Sequence, residues 1–529
     1  MKKFKVLSMV VAMLLAVAML AGCNNGGQPA NTGEPGKLEP TVEEGTDGKI
    51  TKDPLELSIF FHMGTWGAYD PEKWVIYPEA AKFTNISLRG VVSSANTDTA
   101  QEFNTMIATP PYPDIIHGSK DRINKYAVES GVFIPLDELI KEHAPDIQKF
   151  LDANPWARAG SVAADDNLYF IPNSYQGIPS VAFFVREDWL TKLNIPIPET
   201  YEDYYNMLKA FREQDPNGNG QKDEIPYINR EKSIDGLIQF WNAWNGWYAH
   251  EDNKIFHGKT QPEYRTAMEE LHKWYAEGLI DQEVFTRGSK SRDILFGDNT
   301  GGSTHDWLSS TAGFNLTFQD SIPGFKLIVI PPPKDVNGVS KQIYTRQALS
   351  GQGWGISKDN KYPVETIKYM NFWFTEKGQR LFSYGIEDVD YTMVDGKPVP
   401  TEAVTKAPDG PPTYLRNRGQ SEIGTQMLID AEVSIMSEEA KKGFEMYNNE
   451  GFCVEQLPKV AYTEAEQATI TDKTVAFDTF INEKQQAWLL GTEELNDTTW
   501  AQYLEACDAM GYKELQKAVQ DAFDRYNAL

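Results

Sequence analysis

Residues Asp215 to Pro226 place oxygen-bearing side chains at alternate positions, with Gly220 in sixth place. A hard divalent cation needs that pattern, because a short backbone must wrap around the ion and glycine admits the left-handed turn. Asp215, Asn217 and Asn219 supply side-chain oxygens, Gln221 its backbone carbonyl, and Asp223 and Glu224 the closing carboxylates of an expected calcium site. A regular loop of this kind ends on a bidentate Glu in twelfth place. Here Pro226 stands there, so Glu224 must close the shell and no second helix follows directly. An ion ligated entirely by protein has no open position for chemistry, so its expected role is structural. The alternative is a solvated turn rich in Asn and Asp.

The aromatic residues suggest a second chemistry. Of 13 Trp, Trp66, Trp241, Trp244, Trp247, Trp307 and Trp354 lie in polar or Gly-containing stretches. Sugar rings present C–H faces that stack on indole, while their hydroxyls bond to nearby Asp, Asn, Arg and Tyr. Trp307, next to Asp306, and Trp354, between Gly353 and Gly355, are the strongest candidates. Trp74, Trp189, Trp274, Trp373, Trp488 and Trp500 fall on helical spacings and are assigned to the core.

Signatures of catalysis are sparse. The 7 His form no His-x-x-x-His pair, which a zinc-protease helix requires. Gly258-Lys259-Thr260 resembles the end of a phosphate loop, but Asn253 stands where that loop needs its first Gly. No Gly-x-Ser-x-Gly elbow is present. A glycosidase pair is a matter of carboxylate geometry, and 76 acidic residues leave it open. No catalytic residue is assigned. A net charge of −26 without a basic stripe opposes nucleic acid binding, which depends on Lys and Arg displacing counterions.

These residues must be carried by elements. Lys2, Lys3 and Lys5 precede an apolar run from Val6 to Ala21 that only Ser8 interrupts. Such a run is short for a spanning helix and has the flanks of a secretory signal. It ends at Leu20-Ala21-Gly22-Cys23, which resembles a lipoprotein lipobox, so residues 1–22 are an expected signal peptide and Cys23 an expected lipidation site. An ordinary signal with an incidental Cys is the alternative. Residues 23–52, rich in Gly, Pro, Asn, Thr and Glu, bury too little to order themselves and read as a flexible tether.

Beyond them, strands at 55–61, 86–92 and 114–117 alternate with helices at 72–83 and 98–108, the pattern of a parallel α/β sheet. In such sheets ligands sit beyond the carboxyl ends of strands, where Trp66 lies. Further strands are expected at 168–172, 181–185 and 325–330. Helices are expected at 186–193, 199–214, 262–277, 362–384, 461–490 and 498–526. With 529 residues and 3 Cys, the chain must form more than one lobe and be held by packing. Cys453 and Cys507 have no metal-site spacing; free or paired, they are best read as buried thiols.

Taken in order, Gly131–Ile140, Arg186–Leu190, Asp215–Pro226, Tyr275–Asp281 and Gly353–Ser357 resemble extracellular solute-binding proteins of carbohydrate ABC transporters. The likeness is to large Gram-positive lipoproteins and to alginate-oligosaccharide-binding proteins, which carry a similar calcium loop. It implies an α/β, two-lobed fold of the periplasmic-binding-protein type, with a hinge and an interlobe cleft. Residues 53–172 and 340–398 would form the first lobe. Residues 173–339 and 399–529 would form the second, with the calcium loop and a helical C-terminal region. Trp66, Asn173, Tyr175, Trp307 and Trp354 are the implied ligand contacts, with Trp241, Trp244, Asp306 and Arg346 in support.

The implied function is capture of an oligosaccharide by lobe closure and its delivery to ABC permease subunits. A monomer, anchored at the extracellular face of the membrane through Cys23, would do this. A secreted polysaccharide-degrading enzyme, or a peptide-binding or other polar-solute-binding protein of the same fold, are the competing readings.

Overall fold

The structure is a computed structural model that describes residues 39–528 except 178, 231–233 and 344. Of the unit Met1–Glu39 only Glu39 is described; Pro40–Leu529 form the other unit. Cys23 and the signal-like segment therefore lie outside the described residues. Among the described residues no helix is long and apolar enough to cross a membrane.

Two sheets organise the chain. The first runs in the order Thr425–Met427, Ile171–Tyr175, Leu349–Ile356, Ile115–Ser119, Leu55–Phe60, Ile86–Gly90. Leu55–Phe60 is parallel to both of its neighbours, as the alternation of strands with the helices Ile76–Thr84 and Thr99–Ile107 requires. Asp98 starts the second of these helices by accepting from the amides of Ala100 and Gln101, which satisfies donors the helix leaves open. The sheet is not wholly parallel. Leu349–Ile356 returns from the second lobe antiparallel to the strands on both sides of it. The second sheet, ordered Leu327–Ile330, Val181–Arg186, Gly301–Trp307, Ile225–Tyr227, is also mixed.

Each sheet has its own core. Leu57, Ile59, Trp74, Trp354, Trp373 and Ile423 belong to the first. Phe183, Trp189, Trp274 and Trp488 belong to the second, and Phe184, Leu308 and Tyr447 fill the other face of that sheet. All six Trp assigned to the core from helical spacing are buried. Cys507 is buried, Cys453 half-buried, and both are free.

Three expectations shift. Residues 41–52, expected in the tether, pack on the first lobe. The amides of Thr41 and Val42 donate to Glu365 Oε1 at 2.7 and 3.1 Å, and the Thr41 hydroxyl donates to Oε2 at 2.9 Å. Ile50 N–H donates to the Thr84 carbonyl at 2.9 Å. Residues 399–427, expected in the second lobe, also lie on the first. Thr425–Met427 edges its sheet, Ile423 enters its core, and Tyr77 Oη donates to the Gly419 carbonyl at 3.1 Å. The helical stretch at 362–384 is two helices, Pro363–Phe372 and Glu376–Tyr384, because Thr375 caps the second by accepting from the Gly378 amide.

Candidate functional site

Among the described residues the chain passes between the two sheets three times: from Ile171–Tyr175 to Val181–Arg186, from Leu327–Ile330 to Leu349–Ile356, and after Thr425–Met427 to the helix Glu438–Asn449. That helix is fixed to the second sheet by Tyr447 Oη, which donates to the Ile330 carbonyl at 3.0 Å and accepts from Phe183 N–H at 3.1 Å. Arg346, on the second passage, binds the other two. Its Nε donates to the Gly177 carbonyl at 3.0 Å, and its two terminal nitrogens each reach one oxygen of Glu432 at 2.8 Å. A planar guanidinium suits such a fork.

The guanidinium also lies 4.0 Å from the centre of the Tyr175 ring. Tyr175 Oη donates to Glu422 Oε1 at 2.8 Å. Burial, and then the Glu422 charge, push the phenol far above its usual range, so it keeps the proton it donates. These side chains line a cleft of about 420 Å³ together with Trp307, Gln347 and Gln456.

Trp307 ends the strand Gly301–Trp307 and is 47% exposed. Its backbone amide donates to Asp306 Oδ1 at 2.6 Å. Asp306 is held by Arg230 at 2.8 and 3.0 Å and lies 3.2 Å from Arg292. Burial alone would raise this carboxyl, but the Arg230 hydrogen bonds and the two cationic charges outweigh it and hold it below its usual range. Asp306 is therefore a charged strut for Trp307 and is 7% exposed.

The structure thus brings Tyr175, Trp307 and Arg346 together, and it separates the other candidates from them. Trp66, 44% exposed, follows the first strand as expected but is not among the residues lining this cleft, and Arg416 covers one of its faces at 4.5 Å. Asn173 is buried in its strand, with Oδ1 unpartnered. Trp241 packs against Tyr201, Phe240 and Trp274 in the second core. Trp244 stacks on Tyr248 at 4.8 Å, also away from the cleft lining. Trp354 is a correction: it is fully buried in the first core and offers no face to a ligand. Its strand is paired on both edges, and consecutive residues from Gly353 to Ile356 are buried, so both of its faces are covered there. Glu422, Gln347 and Gln456 were missed. Their segments carry no periodic signal, and Glu422 falls in the stretch 399–427 that the sequence alone attaches to the second lobe, while the neighbouring Ile423 enters the first core.

The loop from Asp215 folds as a turn around its own first residue. Asp215 Oδ1 accepts from the amides of Gly218 and Asn219 at 2.9 and 3.1 Å, and Oδ2 accepts from that of Gly220 at 3.0 Å. Gly220 has φ of 76°, the left-handed conformation that the motif requires of a glycine. Asp223 accepts from the side-chain amides of Asn217 and Asn219, both at 2.9 Å. Glu224 is 1% exposed, and neither of its buried carboxylate oxygens receives a hydrogen bond. Burial pushes its carboxyl above the usual range, and Asp223 and Asp215 add to the shift. A buried, unpartnered carboxylate beside two others is costly unless a cation joins it. Among the described residues no three His, Cys, Asp or Glu side chains converge as a metal cluster. Asp215, Asp223 and Glu224 are thus not gathered into one cluster, and the candidate set needs the Asn oxygens and the Gln221 carbonyl beside them.

Comparison with known proteins gives this geometry its family. The profile of the bacterial extracellular solute-binding proteins matches residues 75–380. The chain is 24% identical over 575 aligned residues, 99% of each protein, to the fructooligosaccharide ABC transporter substrate-binding protein of Streptococcus pneumoniae. Among solved structures, an alginate-binding protein without calcium ion superposes with a TM-score of 0.81 at 34% identity, covering 90% of this chain and 99% of that one. A Streptococcus pneumoniae substrate-binding protein in complex with kestose has a TM-score of 0.74 at 20% identity, over 89% and 99% of the two chains, a likeness of fold. The chain belongs to the bacterial extracellular solute-binding protein family, with its two-lobed α/β fold.

Proposed function

We propose that this protein captures an oligosaccharide between its lobes and presents it, unaltered, to the permease of an ABC importer. The observation that carries this is the meeting of Tyr175, Trp307 and Arg346, distant in sequence, in one cleft where the chain crosses between lobes. Trp307 belongs to the second sheet, while Tyr175 and its partner Glu422 stand at the first. A sugar stacked on the indole and bonded to the first lobe touches both halves at once. It therefore favours the closed arrangement by contacts that the open one lacks. Relatives that bind fructooligosaccharide and alginate support the choice of a saccharide.

Thermal shift against pools of oligosaccharides tests it, since a ligand that binds only the native form raises its melting temperature. A shift with a peptide pool and none with sugars would move the assignment to a peptide-binding protein. Release of shortened sugars by the purified chain would favour the degrading enzyme.

Calcium fits the loop as a structural ion. Asp215, Asp223, Glu224 and the Gln221 carbonyl would hold it, with the Asn217 and Asn219 amides turned to present oxygen. It would supply positive charge to the buried Glu224 carboxylate and fix the loop, away from the sugar. Acylation of Cys23 would anchor a monomer to the outer face of the membrane, and residues 24–40 would serve as its leash. Confinement of this kind raises the local concentration near a permease. Mass spectrometry of the membrane-extracted protein, which would carry a diacylglyceryl Cys at its new N-terminus, tests the anchor.

A further inference from the structure

Relatives of this chain take both uncharged and anionic saccharides, so kinship leaves the charge of the ligand open. The cleft itself is more selective. Arg346 is the cation among its lining residues, and it is already committed. Both terminal nitrogens reach Glu432, Nε and one terminal nitrogen reach the Gly177 carbonyl, and the face of the guanidinium lies on Tyr175. Its side chain is 12% exposed. Releasing it to hold a sugar carboxylate would strand Glu432 and unfasten the three lobe crossings, a poor exchange for one new ion pair. Arg230, beside Trp307, is bound to Asp306 in the same bidentate fashion.

Glu422 is the opposite case. It makes no ion pair among the described residues, and its one side-chain bond, from Tyr175 Oη, occupies Oε1. Oε2 is left as an acceptor on the cleft wall. The Gln456 amide donates to the carbonyls of Ile343 and Val454, which leaves its oxygen as an acceptor, and Gln347 gives one of its two N–H groups to the Leu457 carbonyl. The hydroxyls of Ser180, Thr345 and Ser350 in the same lining can donate or accept, so the wall's selectivity lies in its one unbalanced negative charge, which recruits hydroxyl donors and repels carboxylates.

We propose that the sugar ring held in this cleft is uncharged, so that the ligand class is a neutral oligosaccharide whose hydroxyl donates to Glu422, and not an oligouronate. This rests on the saccharide-capture reading above. In an oligouronate every ring carries a carboxylate, so no register along the chain avoids the clash.

Isothermal titration of the full chain with calcium present compares neutral fructo-, malto- and xylo-oligosaccharides with oligogalacturonate and alginate oligosaccharides of matched length. The expected result is binding from the neutral set alone. Glu422→Gln keeps an acceptor for Tyr175 and removes the charge; it should weaken the neutral ligand roughly tenfold and narrow the gap to the uronates. Binding of an oligouronate by the wild-type chain as tightly as any neutral sugar would overturn the inference and leave saccharide capture standing. An unchanged neutral affinity in a folded Glu422→Gln protein would also overturn it. Silence from both sets would overturn the inference together with the reading beneath it.

Discussion

At the scale of single residues, Trp307 and Trp354 show what the sequence tells and what it withholds. Both lie beside Gly or Asp, and both read as exposed rings near a polar ligand. Trp307 is exposed because it is the last residue of its strand, past the cover of the second lobe. Trp354 is buried because both faces of its strand are covered from Gly353 to Ile356, and the glycines around it mark close packing. A Cβ on Gly353 would sit 2.1 Å from the Ile171 carbonyl oxygen, and one on Gly424 would sit 2.5 Å from Trp354 Nε1. Gly-rich flanks mean either a loop or a crowded sheet, and only the neighbouring strands decide. The two variants should therefore separate. Trp307→Ala is expected to lose about 1–2 kcal/mol of ligand binding with a melting temperature near that of the wild type. Trp354→Ala is expected to cost about 3–5 kcal/mol of stability as a core cavity. Calorimetry and titration on the same preparations check both, and equal loss of stability in the two would contradict the placement.

At the scale of elements, local motifs were legible and distant docking was not. The loop at Asp215 was read from twelve consecutive residues, and its turn closes on the Asp and Gly that the motif named. Because Glu224 is buried without a partner, chelation should lower the melting temperature of the native protein far more than it alters ligand affinity. In Glu224→Gln the charge is gone, so the metal-free variant should melt no lower than metal-free wild type, and added calcium should no longer raise it. A wild-type melting point indifferent to chelator would remove calcium from the account. The N-terminal segment is the contrary lesson: nothing in the polar stretch 41–52 points to Glu365, more than 300 positions away. Yet Glu365 is 2% exposed and accepts three hydrogen bonds from Thr41 and Val42. Truncation to residue 39 should leave stability unchanged. Truncation to residue 53 strands that carboxylate and should lower the melting temperature, at a cost of roughly 2–3 kcal/mol; equal melting of the two would show the segment to be idle.

At the scale of the whole molecule, alternating strands and helices were enough to give an α/β chain, and Tyr175 ends the strand from which the chain first leaves one sheet for the other. The third crossing was hidden, because Thr425–Met427 is short and pairs with a strand some 250 residues earlier. Both lobes nonetheless share one liability. His117 lies in the first, its Nε2–H donating to the Glu422 carbonyl at 3.0 Å; His257 and His305 lie in the second. Burial lowers all three: His117 from 6.5 to about 4, His257 to about 3, with the Lys259 charge adding to the latter, and His305 in the same direction. The folded state holds these imidazoles neutral, whereas the unfolded chain takes up protons below about 6.5. Folding stability is therefore complete above that value and falls as pH drops from it toward the folded pKa values. The loss is about 2 kcal/mol for each of His117 and His257 by pH 5. Because one group or more sits in each lobe, acid should lower the whole unfolding transition and not melt one lobe alone. His117→Gln keeps a donor for the Glu422 carbonyl and cannot titrate, so its melting temperature should fall less steeply than that of the wild type between pH 7 and 5. Parallel pH profiles for the two proteins would mean that His117 is not neutral in the fold.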